Sequence, residues 1–270
     1  MSTAKVTILL PNYKTLTLTK LCLRLLHKYT NPKLAHVIVI DNDSRDESLA
    51  YLKTLHWIEL IERPAIAGEY PHLAHALALD LGLTQVTTPY VLSIHTDTLV
   101  KQPDWLNFLL THIEQNPQIA GVGSWKIESR SWLRSWIKNL ERAVQINYYQ
   151  LINKTDHKVE GYGKNYYYLR SHCALYRMDL IRQLNLSFSD SGEPAGKVMH
   201  KKLIDNGYQM IFLNTQELSR YLDHIDHATM ALNPHLGARR RTIKQGIQRI
   251  GKRLAAVDAD QILSDASLDR

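Results

Sequence analysis

A histidine and an aspartate two residues apart form the pair in this sequence whose chemistry best suits a metal ion. They are His95 and Asp97, in the stretch YVLSIHTDTLVK (residues 90–101), which begins as an apolar run and then becomes polar. In an extended chain alternate side chains point to the same side, so the imidazole and the carboxylate project together while Thr96 points away. A strand that ends in a polar turn would have the same pattern. The pair lies just beyond a predicted strand, and ligands bind at this end of the strands in open α/β sheets. We therefore interpret the pair as a candidate metal or ligand site.

The composition is that of an ordinary globular protein. The chain has 270 residues, of which 44% are hydrophobic, enough for one large domain or two small ones. Its first apolar run stops at Pro11 and is too short for a signal-peptide core or a membrane span, so a cytoplasmic location is expected. Cys22 and Cys173 lie far apart and form neither a disulfide framework nor a zinc-binding pair. Both are expected to be reduced core residues.

Short apolar runs alternate with helical patterns through the first 125 residues. Continuous β-branched runs are typical of buried parallel strands, and apolar stripes at helical spacing predict helices between them. The predicted strands cover residues 6–10, 36–40, 58–62, the start of 90–101, and 119–124. This alternation predicts an α/β protein with an open, mostly parallel sheet and flanking helices. Ser44 and Glu47 have capping-box spacing, which predicts the start of one of these helices.

The C-terminal part carries a basic amphipathic helix. Between Arg239 and Arg253 there are seven Lys and Arg residues and no acidic residue, which accounts for much of the net charge of +7. Its apolar seam follows spacings of four and three and consists of Ile243, Ile247, Ile250, Leu254 and Val257. Such a helix is compatible with an anionic membrane surface, with a dimer seam, or with packing on its own domain. Residues 258–270 are acidic and polar and are expected to fray.

Four segments in order resemble the conserved blocks of family 2 glycosyltransferases. They are VTILLPNYK, VIVIDNDSRDES, residues 68–83, and YVLSIHTDTLVKQPDWLNFLL. The resemblance implies the A-type, Rossmann-like glycosyltransferase fold over residues 1–234, with 1–125 as the nucleotide-sugar half and 126–234 as the acceptor half. Residues 235–270 then hold the basic helix and the tail.

The resemblance also implies the reaction. A sugar, a hexose or deoxyhexose, would pass from a nucleotide diphosphate sugar to an acceptor hydroxyl by single displacement with inversion at the anomeric carbon. The acceptor would be a glycan or a lipid-linked glycan in the synthesis of a bacterial-type surface polysaccharide. A lipid-linked acceptor and the basic helix would together place the enzyme on the inner face of a membrane. A homodimer is a further possible assembly.

The resemblance also implies which residues bind the donor. The loop after the first strand, Pro11, Asn12 and Tyr13, and the aspartate after the second strand, Asp41, would contact the nucleoside. Asp43, where the family commonly has glycine, and Gly68 are further candidate donor contacts. Without the resemblance, Asp41 reads as a strand-end carboxylate that caps the next helix.

His95 and Asp97 occupy the position of the metal-binding motif of the family. The usual motif is Asp-x-Asp, and His95 replaces its first carboxylate while Asp97 keeps the last. Imidazole is a good ligand for manganese-like ions, so Mn²⁺ is expected in preference to Mg²⁺. Many relatives complete the metal or diphosphate site with a histidine near the end of the domain, and His224 and His227 in LDHIDHAT are the candidates.

Two acidic residues are candidates for the general base. The region SFSDSGEPAGKVMHKKL matches the one in which the family places a carboxylate that deprotonates the acceptor. Glu193 is the better match and Asp190 the next, although Pro194 follows Glu193 where a second acidic residue is usual. A carboxylate that merely starts a helix is the simpler interpretation. Asp80 stands where the family usually has asparagine.

Aromatic and histidine clusters have a structural and a functional interpretation. Trp132 and Trp136, on a helix predicted over residues 131–150, and the run Tyr166–Tyr168 suit packing, yet they also suit the C–H faces of an acceptor sugar. His72 and His75 lie one turn apart on a predicted helix near Gly68, and one interpretation is that they contact the diphosphate of the donor. A solvated helix face is the preferred interpretation of that pair.

The sequence is also compatible with a different class of function, binding without catalysis. The altered metal and base motifs are compatible with a non-catalytic, degenerate transferase that binds a glycan or a nucleotide. A nucleic-acid binder is disfavoured, because the basic residues are concentrated in the C-terminal helix instead of across the sheet.

Overall fold

The computed structural model describes residues 4–125, 145, 159, 161–225, 228–236 and 240–270. The strands are β1 (Val6–Asn12), β2 (Ala35–Asp41), β3 (Glu59–Glu62), β4 (Tyr90–Ile94), β5 (Thr98–Val100), β6 (Ile119–Gly123), β7 (Cys173–Arg177), β8 (Gln209–Phe212) and β9 (Leu222–His224). The helices are α1 (Leu16–Tyr29), α2 (Glu47–Leu52), α3 (Pro71–Leu83), α4 (Trp105–Ile113), α5 (Met178–Gln183), α6 (Lys197–Asp205), α7 (Thr215–Tyr221), α8 (Ala228–Leu232), α9 (Arg240–Ala256) and α10 (Ala259–Ser264). The predicted helix over residues 131–150, with Trp132 and Trp136, lies outside the described residues apart from residue 145.

Seven strands form one mixed sheet in the order β3-β2-β1-β4-β7-β6-β8. The pairs within β3-β2-β1-β4 and the pair β6-β8 are parallel, while β7 runs antiparallel to both β4 and β6. The predicted open, mostly parallel sheet with flanking helices is therefore confirmed. Because β7 lies between β4 and β6, the predicted nucleotide-sugar and acceptor halves share a single sheet.

Both faces of the central strands are buried, as their continuous apolar sequences predict. Alternate residues of β1 contribute to two separate hydrophobic clusters, Ile8 to one and Leu9 to the other. The helix α1 covers the first face with a buried stripe that includes Leu18, Leu21 and Cys22. Cys22 and Cys173 are both buried and free, so the prediction of reduced core cysteines is confirmed.

The cap of α2 differs from the predicted one. Asp46 is the N-cap, and its carboxylate accepts a hydrogen bond from the Ser48 backbone N–H at 2.9 Å. The predicted capping box of Ser44 and Glu47 is therefore wrong. The Ser44 hydroxyl instead accepts from the Lys14 backbone N–H at 3.2 Å, so this serine ties the loop after β1 to the loop after β2.

A separate two-stranded ribbon lies beside the end of β4. Its strands β5 and β9 pair antiparallel, with Thr98 opposite His224. The ribbon continues through the hydrogen bond from Ile225 N–H to Asp97 O at 2.9 Å. It thereby joins the C-terminal part of the fold to the residues directly after β4.

The basic helix α9 packs on its own domain through part of its surface. Ile250 is buried, Leu254 and Val257 pack against the main core, and Arg253 pairs with Asp223 at 3.0 Å. Ile247, one turn from Ile250, is 53% exposed. Of the three arrangements compatible with the sequence, packing on the domain accounts for one side of the helix and leaves the other side open.

The prediction that residues 258–270 fray is wrong. Arg24 of α1, which is 1% exposed, donates to both carboxylate oxygens of Asp269, at 2.8 and 2.5 Å. The same guanidinium donates to Ile262 O at 2.9 Å, and the Ile262 side chain is buried. A polar tail can dock when it supplies partners to a buried charge, and here it does so for Arg24. In the described part of the chain, no helix combines the length and the apolar character needed to cross a bilayer.

Candidate functional site

A cleft of about 850 Å³ opens where β1 and β4 end. In sheets of this kind ligands bind outside the carboxyl ends of the strands, so the position follows from the topology. Its walls come from the loop after β1, the loop before α3, the turn after β4, the segment before β7, the loop before α6, and the C-terminal residues around β9 and α8. Of the residues that the sequence marks as metal candidates, His95, Asp97 and His224 line this cleft.

Three of these candidates, His95, Asp97 and His224, come together as a possible metal site. Their ligand atoms all lie within 4.8 Å of one another. Asp97 Oδ1 is 3.7 Å from His95 Nδ1 and 3.3 Å from His224 Nε2. The chain turns directly after β4, with Thr98 N–H donating to His95 O at 3.0 Å, so the predicted extended conformation of residues 95–97 is wrong and a turn brings His95 and Asp97 together. His224 joins them because β9 pairs with β5.

The donor set fits a divalent cation. Asp97 Oδ1 is buried and accepts no hydrogen bond from any described residue, which is costly for a carboxylate unless a positive charge compensates it. Ligand atoms bonded to one ion at about 2.1 Å lie about 3 to 4 Å apart, close to the distances between these three side chains. Two imidazoles and one carboxylate suit borderline transition ions better than the all-oxygen sites that Mg²⁺ prefers.

A second layer of side chains orients the histidines. The Ser171 hydroxyl lies 2.9 Å from His95 Nε2 and 3.1 Å from His75 Nε2. The His172 ring stacks on that of His224, with ring centres 4.6 Å apart, and its Nε2 lies 3.0 Å from Ser124 Oγ. Such outer contacts fix the orientation of a ligating ring and the nitrogen that faces the ion.

Burial lowers the pKa values of His75, His95 and His172. It lowers the pKa of His75 to about 4. Burial, followed by the charges of the neighbouring histidines and Arg170, holds the pKa of His95 well below its usual value. The pKa of His172 is lowered by burial first and then by His224 and Arg170. A neutral imidazole is the form that ligates a metal, so the rings are competent near neutral pH.

The structure separates the two histidines of α3. His72 is exposed, as the prediction of a solvated helix face requires. That prediction is wrong for His75, whose ring meets the His95 ring edge-on with centres 4.7 Å apart. The inward position of His75 follows from the packing of α3 on β1 and β2.

The predicted nucleoside contacts form one end of the cleft and its support. Pro11, Asn12 and Tyr13 line the cleft. Asp41, which is 1% exposed, accepts hydrogen bonds from Asn12 Nδ2 at 2.7 Å and from the Ser44 backbone N–H at 2.9 Å. One Asp41 oxygen therefore links the ends of β1 and β2, the other fixes the loop after β2, and a contact with a nucleobase stays a prediction.

Two further candidates lie in loops with unusual backbone conformations. Asp43 has a φ of 59° and its carboxylate pairs with exposed Arg45 at 2.6 Å. Gly68 has a φ of 83°, which favours glycine, and no atom lies within 4 Å of the position that a Cβ would take. Glu69, directly after it, makes a buried two-point ion pair with Arg63 at 2.5 and 3.0 Å. This ion pair fixes the loop that leads into α3.

The two candidate bases lie beside the cleft, each paired with a lysine. Glu193 is about half exposed and receives a hydrogen bond from Lys197 Nζ at 2.7 Å. Asp190 pairs with Lys202. Neither carboxylate lines the cleft, whereas Pro194 and Ala195, which follow Glu193, do. His227, the second candidate for the C-terminal ligand, lies outside the described residues.

In the segment before β7, the sequence predicts the run Tyr166–Tyr168 as a candidate acceptor surface but does not identify Arg170, Ser171 and His172 as part of the site. Arg170, Ser171 and His172 line the cleft, and so do the aromatic residues Trp125 and Tyr168. The only signal in the sequence is a polar Arg-Ser-His triplet directly before an apolar strand. Because β7 runs antiparallel to β4, with Cys173 opposite Ile94, the residues before this strand meet the residues after β4.

Comparisons with known proteins agree with this geometry. The family model described as "Glycosyl transferase family 2" matches residues 7–184. Among solved structures, a mannosyltransferase from Pyrobaculum calidifontis, in complex with GDP-Man and Mn²⁺, is 16% identical, with a TM-score of 0.55 over 98% of this chain and 73% of that one. Residues 1–349 of S. aureus TarS are 15% identical, with a TM-score of 0.53 over 93% of this chain and 72% of that one.

A third similar structure is glucosyl-3-phosphoglycerate synthase from Mycobacterium tuberculosis, in complex with Mn²⁺, UDP and glucosyl-3-phosphoglycerate. It is 15% identical, with a TM-score of 0.51 over 92% of this chain and 80% of that one. No protein of curated function matches the sequence. At such low identities, these likenesses concern the fold.

Proposed function

The chain belongs to glycosyl transferase family 2, and from that premise we propose that it transfers a sugar from a nucleotide diphosphate sugar to an acceptor hydroxyl. The observation that carries the proposal is the buried Asp97 carboxylate oxygen, which lies between His95 and His224 in the cleft and accepts no hydrogen bond from the described residues. Such an oxygen is costly in a site without function and useful in one that binds a cation.

His95, Asp97 and His224 would hold the divalent ion. When bound, the ion supplies positive charge that stabilises the diphosphate as it leaves. Two of the three protein ligands are imidazole nitrogens, and this favours Mn²⁺ over Mg²⁺. The mannosyltransferase was solved with Mn²⁺ and the glucosyl-3-phosphoglycerate synthase with Mn²⁺ and with Mg²⁺, so these structures support a divalent ion and the choice of Mn²⁺ rests on the imidazole ligands.

The nucleoside of the donor would lie against Pro11, Asn12 and Tyr13. The Asn12 side chain donates a hydrogen bond to the Asp41 carboxylate at 2.7 Å, and this contact fixes the position of Asn12 in the cleft wall. The phenol of Tyr13 lies 3.1 Å from His235 Nε2, an exposed contact that links the loop after β1 to the C-terminal part of the fold. These contacts would orient the nucleoside of the donor.

We assign inversion by single displacement, with Glu193 as the base. The acceptor oxygen forms its bond to the anomeric carbon while the bond from that carbon to the diphosphate breaks. The acceptor proton passes to the Glu193 carboxylate, which must first leave its ion pair with Lys197. Asp190 is the alternative base.

The open side of α9 would attach the enzyme to an anionic membrane surface that presents a lipid-linked acceptor. Ile247 is exposed on this helix, next to the exposed basic residues Lys244 and Lys252. Apolar insertion together with attraction of about 1 kcal/mol per basic residue is the usual basis of such binding. A cytoplasmic enzyme of surface-glycan synthesis fits this arrangement.

Thermal shift with a panel of sugar nucleotides, with and without Mn²⁺, tests the proposal directly. We expect one donor class to raise the melting temperature of the wild type only when Mn²⁺ is present. Asp97→Asn should lose this metal-dependent shift and should not lower the stability of the metal-free protein, because the variant removes a buried charge without a partner. An equal Mn²⁺-dependent shift in wild type and variant would contradict the assigned site.

Slow hydrolysis of the bound donor, measured in the same samples, separates enzyme from binder. Metal-dependent donor binding with neither hydrolysis nor transfer to any hydroxyl would favour the non-catalytic transferase. The altered base motif is the observation that keeps this second candidate open.

A further inference from the structure

Arg170 is a charged residue of the cleft that the proposed chemistry does not use. Its guanidinium carbon lies 5.0 Å from the centre of the Trp125 ring and 5.8 Å from that of Tyr168. Its backbone N–H donates to Ser124 O at 3.0 Å, which fixes the main chain at this point. Contact with two aromatic rings restricts a planar guanidinium and leaves its N–H edges able to bind a ligand.

Among the described residues that line the cleft, no carboxylate serves as a counter-charge for Arg170. The ionised side chains that line the cleft are Glu69, Asp97 and Arg170. Glu69 is neutralised by its two-point ion pair with buried Arg63, and Asp97 would be neutralised by the metal ion. Within the described ranges, no carboxylate lies at ion-pair distance from Arg170. A guanidinium held in a concave site without a partner is a strong binder of oxyanions.

The position of Arg170 relates it to the acceptor. The segment before β7 and the loop at Pro194 and Ala195 belong to the same wall of the cleft, and Glu193 begins that loop. The two segments are in direct contact, because the Tyr166 hydroxyl donates to Lys197 O at 3.0 Å and Lys197 Nζ in turn donates to the Glu193 carboxylate at 2.7 Å. An anion bound by Arg170 would therefore belong to the molecule whose hydroxyl faces the base.

We propose that Arg170, held against Trp125 and Tyr168, binds a phosphate or carboxylate group of the acceptor, so that the acceptor is an anionic molecule and not a neutral glycan. This inference rests on the proposed function, which it extends to the class of acceptor. The aromatic rings beside the guanidinium cover the apolar part of the acceptor, and the guanidinium selects its charged part. A neutral analogue would leave the guanidinium desolvated without a partner, which is the physical basis of the discrimination.

Anion binding by the full-length protein in EDTA tests the inference without metal or nucleotide. Calorimetric titrations would use inorganic phosphate, the matched pair mannose 6-phosphate and mannose, and glucuronate as the carboxylate probe. We expect the anions to bind and mannose not to bind. Arg170→Gln should weaken the binding of the anions by about 10- to 100-fold, the usual effect of losing a charge-assisted pair of hydrogen bonds. Arg170→Lys, which keeps the charge but not the planar fork, should fall between the two.

Arg220→Gln, at an exposed arginine on α7, is the matched control and should bind the anions like the wild type. Melting curves of each variant check that it is folded. Tighter binding of either phosphate or glucuronate supports the inference and identifies the anionic group. Anion binding that Arg170→Gln does not weaken, or the absence of binding by all the anions, would overturn it.

A second arm separates the acceptor from the donor. Affinities for UDP and GDP in the presence of Mn²⁺ should change less than about twofold in Arg170→Gln, because the metal ligands hold the diphosphate. Loss of nucleotide affinity in this variant would assign Arg170 to the donor and refute the inference. Failure of the proposed function has a different signature, the absence of Mn²⁺-dependent nucleotide binding in the wild type, whatever the result in EDTA.

Discussion

At the scale of single residues, the metal preference depends on the histidine that replaces the first carboxylate of the usual motif. We predict that His95→Asp keeps metal-dependent donor binding and shifts its preference toward Mg²⁺, because a second carboxylate provides the oxygen ligands that this harder ion prefers. Titrations of Mn²⁺ and Mg²⁺ followed by thermal shift would measure the ratio of the two affinities. Ser171→Ala is the control, since it removes a contact to His95 Nε2 without changing a ligand atom. An unchanged ratio in His95→Asp would mean that His95 does not contact the ion.

The identity of the base is a second question at this scale. Glu193→Gln should lower turnover about 100-fold or more and leave donor affinity unchanged, because only proton transfer is lost. The variant also breaks the ion pair with Lys197, so Lys197→Met is the matched control for that contact. Turnover measured at saturating donor would separate the two effects. If Glu193→Gln is nearly as active as the wild type, the role passes to Asp190.

At the scale of elements, Asp80 of α3 positions the loop that carries the candidate bases. Its carboxylate accepts hydrogen bonds from the backbone N–H groups of Phe188 and Ser189, at 2.5 and 3.1 Å. Burial raises the pKa of Asp80, while these hydrogen bonds lower it. A contact between α3 and the chain more than 100 residues further on therefore controls how the loop enters the cleft wall.

We predict that Asp80→Ala lowers the free energy of unfolding by about 1–3 kcal/mol, because two backbone donors lose their acceptor. Turnover should fall as well, since the loop that leads to Glu193 loosens. Asp80→Asn keeps one acceptor oxygen but turns an amide donor toward the other backbone N–H, so its stability should fall between those of the wild type and Asp80→Ala. Urea titrations of the three proteins give the comparison. Equal midpoints for Asp80→Ala and the wild type would show that packing of Phe188 alone holds the loop.

The C-terminal tail is a second element whose role can be measured. Arg24→Met should destabilise the protein by about 3–5 kcal/mol, because it removes a buried charge that binds Asp269 and two backbone carbonyls of α10. Deleting residues 258–270 should also lower the melting temperature. Arg45→Met, which breaks an exposed ion pair, should change stability by less than about 0.5 kcal/mol. If the deletion leaves the melting temperature unchanged, the tail does not stabilise the domain, and the prediction of a frayed tail would be supported.

At the scale of the whole molecule, attachment to a membrane must be tested without disturbing the packing of α9. Truncation of the helix is unsuitable, since Ile250 and Leu254 pack against the core. The double variant Lys244→Glu and Lys252→Glu should instead abolish sedimentation with anionic vesicles at low salt and leave melting temperature and donor hydrolysis unchanged. Lys33→Glu with Arg220→Glu makes the same change of charge elsewhere on the surface and should preserve binding.

Light scattering on the same samples examines the homodimer. A mass that halves in the Lys244→Glu and Lys252→Glu protein would assign the open side of α9 to a dimer interface. Wild-type protein that ignores anionic vesicles at low salt would exclude membrane attachment through this helix.

The sequence by itself determined the alternation of strands and helices, the mostly parallel sheet, and the pairing of His95 with Asp97. These features depend on local periodicity and on residues two positions apart, and a single segment contains all the information they need. The family resemblance adds the prediction that the loop after β1 binds the donor, and this loop, which directly follows a predicted strand, lines the cleft.

Only the tertiary structure decided which distant residues complete the site. The antiparallel insertion of β7 brings Arg170, Ser171 and His172 to the end of β4, and the pairing of β9 with β5 brings in His224. Likewise, the packing of α3 turns His75 inward, and the buried charge of Arg24 holds the tail. Strand order, strand direction and docking are set by the sum of many weak contacts between residues far apart in the chain, and no local pattern encodes that sum.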